Sequence, residues 1–164
     1  MIELRSLQKA DDAALIQHLN DDRVTKYLSS RIPSPYTRED AAWWIESGCK
    51  EVGVVRAIDF EGTFCGVIGA YKRELEYSHS AEIGYWLGYK HWNSGIATES
   101  LINFTNYIFE TTEIKRLFNP VTSLNIASTK VLEKAGYKLE GVLKAAVAHE
   151  GSYIDEHLYA RVCP

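Results

Sequence analysis

Cysteine is scarce in this 164-residue chain, and the three present, Cys49, Cys65 and Cys163, are widely spaced and odd in number. No CxxC pair and no Cys/His cluster occurs, which argues against a zinc site, any other metal ligand set and a disulfide framework. A chain without disulfides is expected in the reducing cytoplasm. Also missing is any apolar run near the roughly 20 residues that span a bilayer, so no membrane partner is expected. The opening MIELRSLQKADDAALIQHLNDD carries acids too early for a signal peptide and spaces its apolar residues out. A basic surplus is absent too: 18 Lys+Arg stand against 22 Asp+Glu, net −4. General nucleic-acid binders show the opposite balance, so no nucleic-acid partner is expected. Repeats, low-complexity tracts and Gly/Ser linkers are likewise lacking. What the chain does hold is 46% apolar and 12% aromatic residues, enough for a real core. At this length, below the roughly 250 residues where cores begin to split, residues 1–164 are expected to form one domain.

Periodicity places the elements. Ile2, Leu4 and Leu7 suggest a short strand over 2–7. Ala10, Ala14, Leu15 and Leu19 recur at helical spacing, with Asp11 and Asp12 suited to the first turn. A second short helix is expected over 21–28. Residues 32–36 must be extended, because Pro33 and Pro35 bias their predecessors away from helix. Thr37 then reads as an N-cap, with Asp40 three residues on, for a helix carrying Trp43, Trp44 and Ile45. Residues 52–60 and 63–71 are apolar and β-branched, split by Glu61-Gly62 as a hairpin turn. A third strand over 80–89 follows a polar turn at 74–78. Beyond Gly95, Ala97, Leu101, Phe104 and Ile108 share one helical face. A strand over 116–122, a helix over 126–135 stopped by Gly136, and two antiparallel strands over 137–145 and 152–162 complete the chain. Trp43, Trp44, Trp86 and Trp92 read as core residues more readily than as a substrate groove. This order makes a mixed α/β (α+β) protein with helices on a largely antiparallel sheet.

The stretch AEIGYWLGYKHWNSGIATE over 81–99 runs strand, glycine-bearing turn, helix N-terminus. Such a turn aims backbone N–H groups at one spot where the helix dipole adds positive potential, and Gly95 permits close approach by a pyrophosphate. The same turn also reads as a plain helix cap, and it matches neither GxGxxG nor a P-loop. A second stretch, NIASTKVLEKAGYKLEG over 125–141, follows one strand later. Together with Pro35-Tyr36-Thr37 and Asp40-Ala41 ahead of the Trp43-Trp44 helix, these stretches resemble the GNAT superfamily of acyl-CoA-dependent N-acetyltransferases. Within it they are most similar to the RimJ/RimL-like branch, the ribosomal-protein N-terminal acetyltransferases.

That resemblance implies the GNAT fold and acetyl-CoA as co-substrate, with no metal. The turn formed by Trp92, Asn93, Ser94, Gly95, Ile96, Ala97 and Thr98 matches the superfamily's pyrophosphate loop, with Gly95 and Ala97 at its small-residue positions. Trp92 replaces the usual Gln or Arg, and Asn93 stands where relatives often have a further glycine. Tyr85, Trp86 and Leu87 belong to the strand whose main chain binds pantetheine. Asn125 matches the asparagine that holds the pantetheine arm, and Ser128 a polar residue near the thioester sulfur. Leu132 stands where many members carry a tyrosine acid.

N-acetylation needs two proton transfers: the ammonium must lose a proton, and the departing thiolate must gain one. Glu82 is the candidate base, through an intervening water. Strand alternation sets it on one face with Gly84 and Trp86, opposite Ile83 and Tyr85. A carboxylate beside an apolar wall has its pKa raised, which suits a base near neutrality; a solvated or ion-paired strand glutamate is the alternative. Ser128 is the candidate donor to sulfur, the alternative being a serine bonded to local backbone. Glu74 and Glu76 could attract a cationic amine, or simply be solvated. The resemblance implies acetylation of a protein or peptide N-terminal α-amine by direct attack, since no cysteine matches a nucleophile position. A small amine acceptor, such as a polyamine, amino-sugar or amino-acid derivative, and a non-catalytic acyl-CoA-binding module are the alternatives. The terminal strands leave a monomer or a homodimer open.

Overall fold

The computed structural model describes residues 1–164. Seven strands form one sheet: β1 (Ile2–Arg5), β2 (Gly53–Phe60), β3 (Thr63–Lys72), β4 (Ser80–Leu87), β5 (Arg116–Thr122), β6 (Lys138–His149) and β7 (Ser152–Val162). Helices α1 (Asp12–Leu19), α2 (Asp22–Thr25), α3 (Arg38–Trp43), α4 (Cys49–Glu51), α5 (Ile96–Thr111) and α6 (Ile126–Lys134) cover it. The sheet order is β1-β2-β3-β4-β5-β7-β6, and every neighbouring pair is antiparallel except β4 with β5. A parallel pair needs a long crossover, and α5 supplies it. No helix is long and apolar enough to cross a membrane.

Two cores lie on the two faces of the sheet. Leu101, Phe104 and Ile108 of α5 pack with Leu132 of α6 over Ile83 and Leu117. Leu15 of α1 and Ala41 of α3 pack with Ile45 over Val55 and Val67. Strand β3 is buried on both faces over residues 65–70, as its near-continuous apolar run requires. Thr37 and Asp40 form the expected capping box at the start of α3. Glu61 (φ +52) and Gly62 (φ +78) close the β2–β3 hairpin with both central residues left-handed.

Several boundaries differ from expectation. Strand β1 stops at Arg5, whose guanidinium turns inward to Asp11 and Asp59. The helix expected over 21–28 is confined to α2, capped by Asp21. Strand β4 ends at Leu87 because Tyr89–His91 coils into a 3-10 turn. Strand β6 runs on to His149, past the expected end at 145. A bulge between Leu143 and Val147 absorbs Ala145 (φ +49), whose N–H bonds Asp155 at 2.9 Å, and pairing then resumes. The buried face of α5 includes Ile96, Ser100 and Thr105, while Ala97 is only partly covered. Trp43 (58% exposed) and Trp92 (40% exposed) are not core residues. A π turn over Trp44–Gly48 rotates the helix that carries Trp43 and keeps Ile45, not Trp43, in the core.

Candidate active site

Between β4 and α5 lies a loop in which Asn93 (φ +56) and Gly95 (φ +81) are both left-handed. Asparagine tolerates that region better than most side chains, which accounts for Asn93 at a position expected to hold glycine. Helix α5 begins without a side-chain cap. Its first backbone bond joins the Glu99 N–H to the Gly95 carbonyl at 3.1 Å, and the N–H groups of residues 93–98 have no acceptor within the protein. A Cβ on Gly95 would meet no atom within 4 Å, so the space above the loop is open. Uncapped N–H groups at a helix N-terminus, with the dipole behind them, form an anion site.

Trp92 differs from its neighbours in this loop. Its N–H bonds the Tyr89 carbonyl at 3.1 Å and its indole Nε1 donates to the Leu87 carbonyl at 2.9 Å. Both N–H groups of Trp92 are thus satisfied within the protein, and its side chain braces the loop. Tyr89 packs edge-on against Trp92 at 5.1 Å and lies beneath the Arg23 guanidinium at 3.7 Å, which ties the loop to α2.

Strands β4 and β5 pair only where Ser80–Glu82 face Arg116–Phe118, and then separate. Asn119 Nδ2 donates to the Ile83 carbonyl at 2.6 Å, closing the vertex of the opening, and Trp92 takes the Leu87 carbonyl at its far end. Backbone groups alternate sides along a strand, so the Tyr85 N–H and carbonyl face the gap between those two points. Trp86 points its main-chain groups the other way, toward Val67 on β3. Of the three residues expected to present main-chain groups, only Tyr85 turns a free carbonyl to the gap: Trp92 occupies the Leu87 carbonyl, and Trp86 faces β3.

Helix α6 stands across the gap. Asn125 caps it, its Oδ1 accepting the Ser128 N–H at 3.2 Å. The Tyr85 hydroxyl crosses to the Ser128 hydroxyl at 2.8 Å and lies 3.3 Å from the Ser128 carbonyl. Burial pushes the Tyr85 phenol up to about 12, against the opposing pull of the Ser128 bond, so it stays a proton donor at neutral pH. The Ser128 hydroxyl thus meets a phenol from another element. Leu132, one turn further along, is fully buried in the core.

Glu82 occupies the opposite face, in register with Tyr71 on β3 and Phe118 on β5. Pairing of Phe118 with Ala160 and of Thr122 with Glu156 carries that face to Glu156 on β7. Glu82 as a residue is exposed. Protein crowded around its carboxyl nevertheless raises the pKa by desolvation, while Arg73 and Arg31 pull it down. Burial also raises the Glu156 carboxyl, and the charge of Glu82 adds to the effect. Tyr71 is raised by burial and then by Glu82. Glu82 and Ser128 therefore sit on opposite faces of the sheet and communicate only through the opening between β4 and β5. Glu156 and Asn119 escape a linear scan for motifs. A glutamate alternating with Leu158 and Ala160 along β7 is the one signal that could have marked Glu156. Glu74 and Glu76 are exposed and form no ion pair, as solvated residues do. No group of three or more His, Cys, Asp or Glu gathers as a metal site.

Residues 2–138 match the family model for the acetyltransferase (GNAT) domain. Over 167 residues the chain is 28% identical to the uncharacterized N-acetyltransferase YoaA of Bacillus subtilis (strain 168), covering 98% of this chain and 93% of that protein. It is 33% identical over 102 residues to the ribosomal-protein-serine acetyltransferase of Escherichia coli (strain K12), covering 62% of this chain and 56% of that one. RimL, a ribosomal L7/L12 alpha-N-protein acetyltransferase solved in complex with coenzyme A, shares the fold with a TM-score of 0.85 at 24% identity, over 99% of this chain and 94% of its own.

Proposed function

Since the chain belongs to the GNAT acetyltransferase family and is an acetyl-CoA-dependent N-acetyltransferase, we propose that it acetylates the N-terminal α-amine of a protein or peptide by direct attack. One observation carries the assignment of the site: the unpaired N–H groups of residues 93–98 and the unpartnered edge of β4 at Tyr85 lead to an opening flanked by Glu82 and Ser128. These groups suit the donor molecule. The loop N–H groups would hold its pyrophosphate, and Tyr85 main chain and Asn125 its pantetheine arm. Acetyl-CoA, when bound, supplies the thioester carbonyl and a thiolate leaving group.

Glu82 accepts the ammonium proton through a water, and its raised pKa matches the task better than an ordinary carboxylate would. Glu156 adds negative potential on the same face, which favours entry of a cation. Tyr85 and Ser128 share a hydrogen bond in which either hydroxyl can donate; with Ser128 donating, the Tyr85 O–H is free to give its proton to the departing thiolate. Ser128 positions that phenol, and Leu132 leaves the role to it. An α-amine with a pKa of about 7.7–8.0 loses its proton more readily than a lysine at about 10.4, which suits a single carboxylate base. The name of the E. coli relative, which acts on a ribosomal protein, supports a protein acceptor. We place this activity in the cytoplasm, where the free thiols Cys49, Cys65 and Cys163 stay reduced.

A panel of N-terminal peptides, lysine side-chain peptides, polyamines and aminoglycosides tests the acceptor. Coenzyme A release and product mass are followed for each. Acetylation of free peptide N-termini, abolished by N-terminal blocking, is the expected result; turnover confined to the small amines would overturn the reading.

A further inference from the structure

A carboxylate that takes a proton from an ammonium group works best without a permanent cation bonded to it, and Glu82 forms no ion pair within 4 Å. One arginine nevertheless stands over this face. Arg73 follows β3, and its guanidinium stands 5.7 Å from the ring centre of Phe118, the residue directly opposite Glu82 on β5. It stands 5.3 Å from the ring of Tyr77 as well.

Most other arginines of the chain are occupied. Arg5 pairs with Asp11 and Asp59, Arg23 with Asp21, and Arg116 with Glu140. Arg56 donates to the Tyr107 hydroxyl and the Val55 carbonyl, and Arg161 to the Ala135 carbonyl. The guanidinium groups of Arg31, Arg38 and Arg73 donate to nothing, and of these Arg73 lies over the aromatic ring opposite Glu82. Glu74 and Glu76 lie next to Arg73 in sequence without pairing with it. A guanidinium lying over aromatic rings keeps its N–H edge free for a planar anion. Opposite charges are thus assembled on one face without pairing: the Glu82 and Glu156 carboxylates, and the Arg73 guanidinium.

We infer that Arg73 forms an anion subsite beside Glu82, so that the preferred acceptor carries a carboxylate or phosphate close to its reacting amine. This rests on the proposed acetylation of an amine at Glu82. The carboxylates receive the ammonium end and Arg73 the anionic end, so only a dipolar acceptor satisfies both. In a peptide the anion is an acidic side chain next to the N-terminal residue. In a small acceptor it is a carboxylate or phosphate of the same molecule.

Three peptides that differ only in Asp, Asn or Lys at the second residue, and two small amines with and without a carboxylate, distinguish these sources. Each is assayed with wild type, R73Q and R73K, and peptide affinity is measured by calorimetry with coenzyme A present. The Asp peptide exceeds the Asn peptide about tenfold or more in both kcat/KM and affinity, as a charge-assisted contact to arginine provides. The Lys peptide is the poorest. R73Q brings the Asp-to-Asn ratio close to one and R73K restores part of it; because the ratio is internal to each variant, a folding defect cancels. Equal use of Asp and Asn peptides by wild type, or an Asp preference that survives R73Q, overturns the subsite and leaves the α-amine reading standing. Acetylation of the carboxylated small amine with every peptide ignored supports the subsite and removes protein N-termini as acceptors.

Discussion

The Tyr85 hydroxyl, carried by β4, and the Ser128 hydroxyl, carried by α6, meet at 2.8 Å across the gap where β4 leaves β5. Removing the phenol as Tyr85→Phe should lower kcat by about 100-fold, the usual scale of a positioned acid, with little change in KM for acetyl-CoA. Ser128→Ala should cost less. The double variant should match Tyr85→Phe alone, because both act through one hydrogen bond. Steady-state kinetics decide it: a silent Tyr85→Phe beside a damaging Ser128→Ala would make the serine the donor.

Glu82 should control the acid limb of the pH profile. Burial raises its carboxyl, so the ascending limb of kcat/KM lies above the ordinary carboxylate range. Glu82→Gln should cost about 100-fold or more and abolish that limb. Arg73 lowers the Glu82 pKa, so its loss in Arg73→Gln releases the carboxyl upward and moves the limb to higher pH. A limb that persists in Glu82→Gln would assign the base to another group, Glu156 being the first to test.

The loop before α5 should separate two kinds of substitution. Gly95 sits at φ +81, where an alanine is disfavoured by about 1–2 kcal/mol and relief of that strain reorients the N–H groups around it. Gly95→Ala should weaken coenzyme A binding about tenfold and leave pantetheine, which lacks the pyrophosphate, unaffected. Asn93 already holds a left-handed conformation, so Asn93→Gly should bind coenzyme A normally. Calorimetric titration with both ligands reads the contrast.

Arg5 should matter for stability and not for chemistry. It bonds Asp11 through two nitrogens at 2.9 and 2.8 Å and Asp59 at 3.2 Å, and both carboxylates are buried. Arg5→Met leaves them without their cation, at a cost of about 3–5 kcal/mol in denaturant unfolding. A loss under about 1 kcal/mol would show the triad to be a solvated surface pair.

Much of the site could be read along the chain because its parts are local. The glycine turn, the N-terminus of α5 and the Thr37 cap each depend on residues within a few positions of one another, and backbone geometry follows from such short patterns. Alternation likewise set Glu82 on the face opposite Tyr85 before any fold was known. Trp92 shows the limit of that logic. Its position in the motif suggested a phosphate contact, whereas only the fold brings the Leu87 carbonyl to its indole and so satisfies that donor within the protein.

By itself, the amino-acid sequence determined the element order, the mostly antiparallel sheet, the Thr37 cap and the glycine-bearing turn before α5, all of which follow from period, turn chemistry and short-range hydrogen bonding. Tertiary structure alone decided which distant residues meet. The parting of β4 from β5 let Tyr85 reach Ser128, and the register of β5 on β7 brought Glu156 round to the Glu82 face. Register across a sheet depends on the whole set of strand pairings, so the chemistry of this opening exists only once all of those pairings have formed.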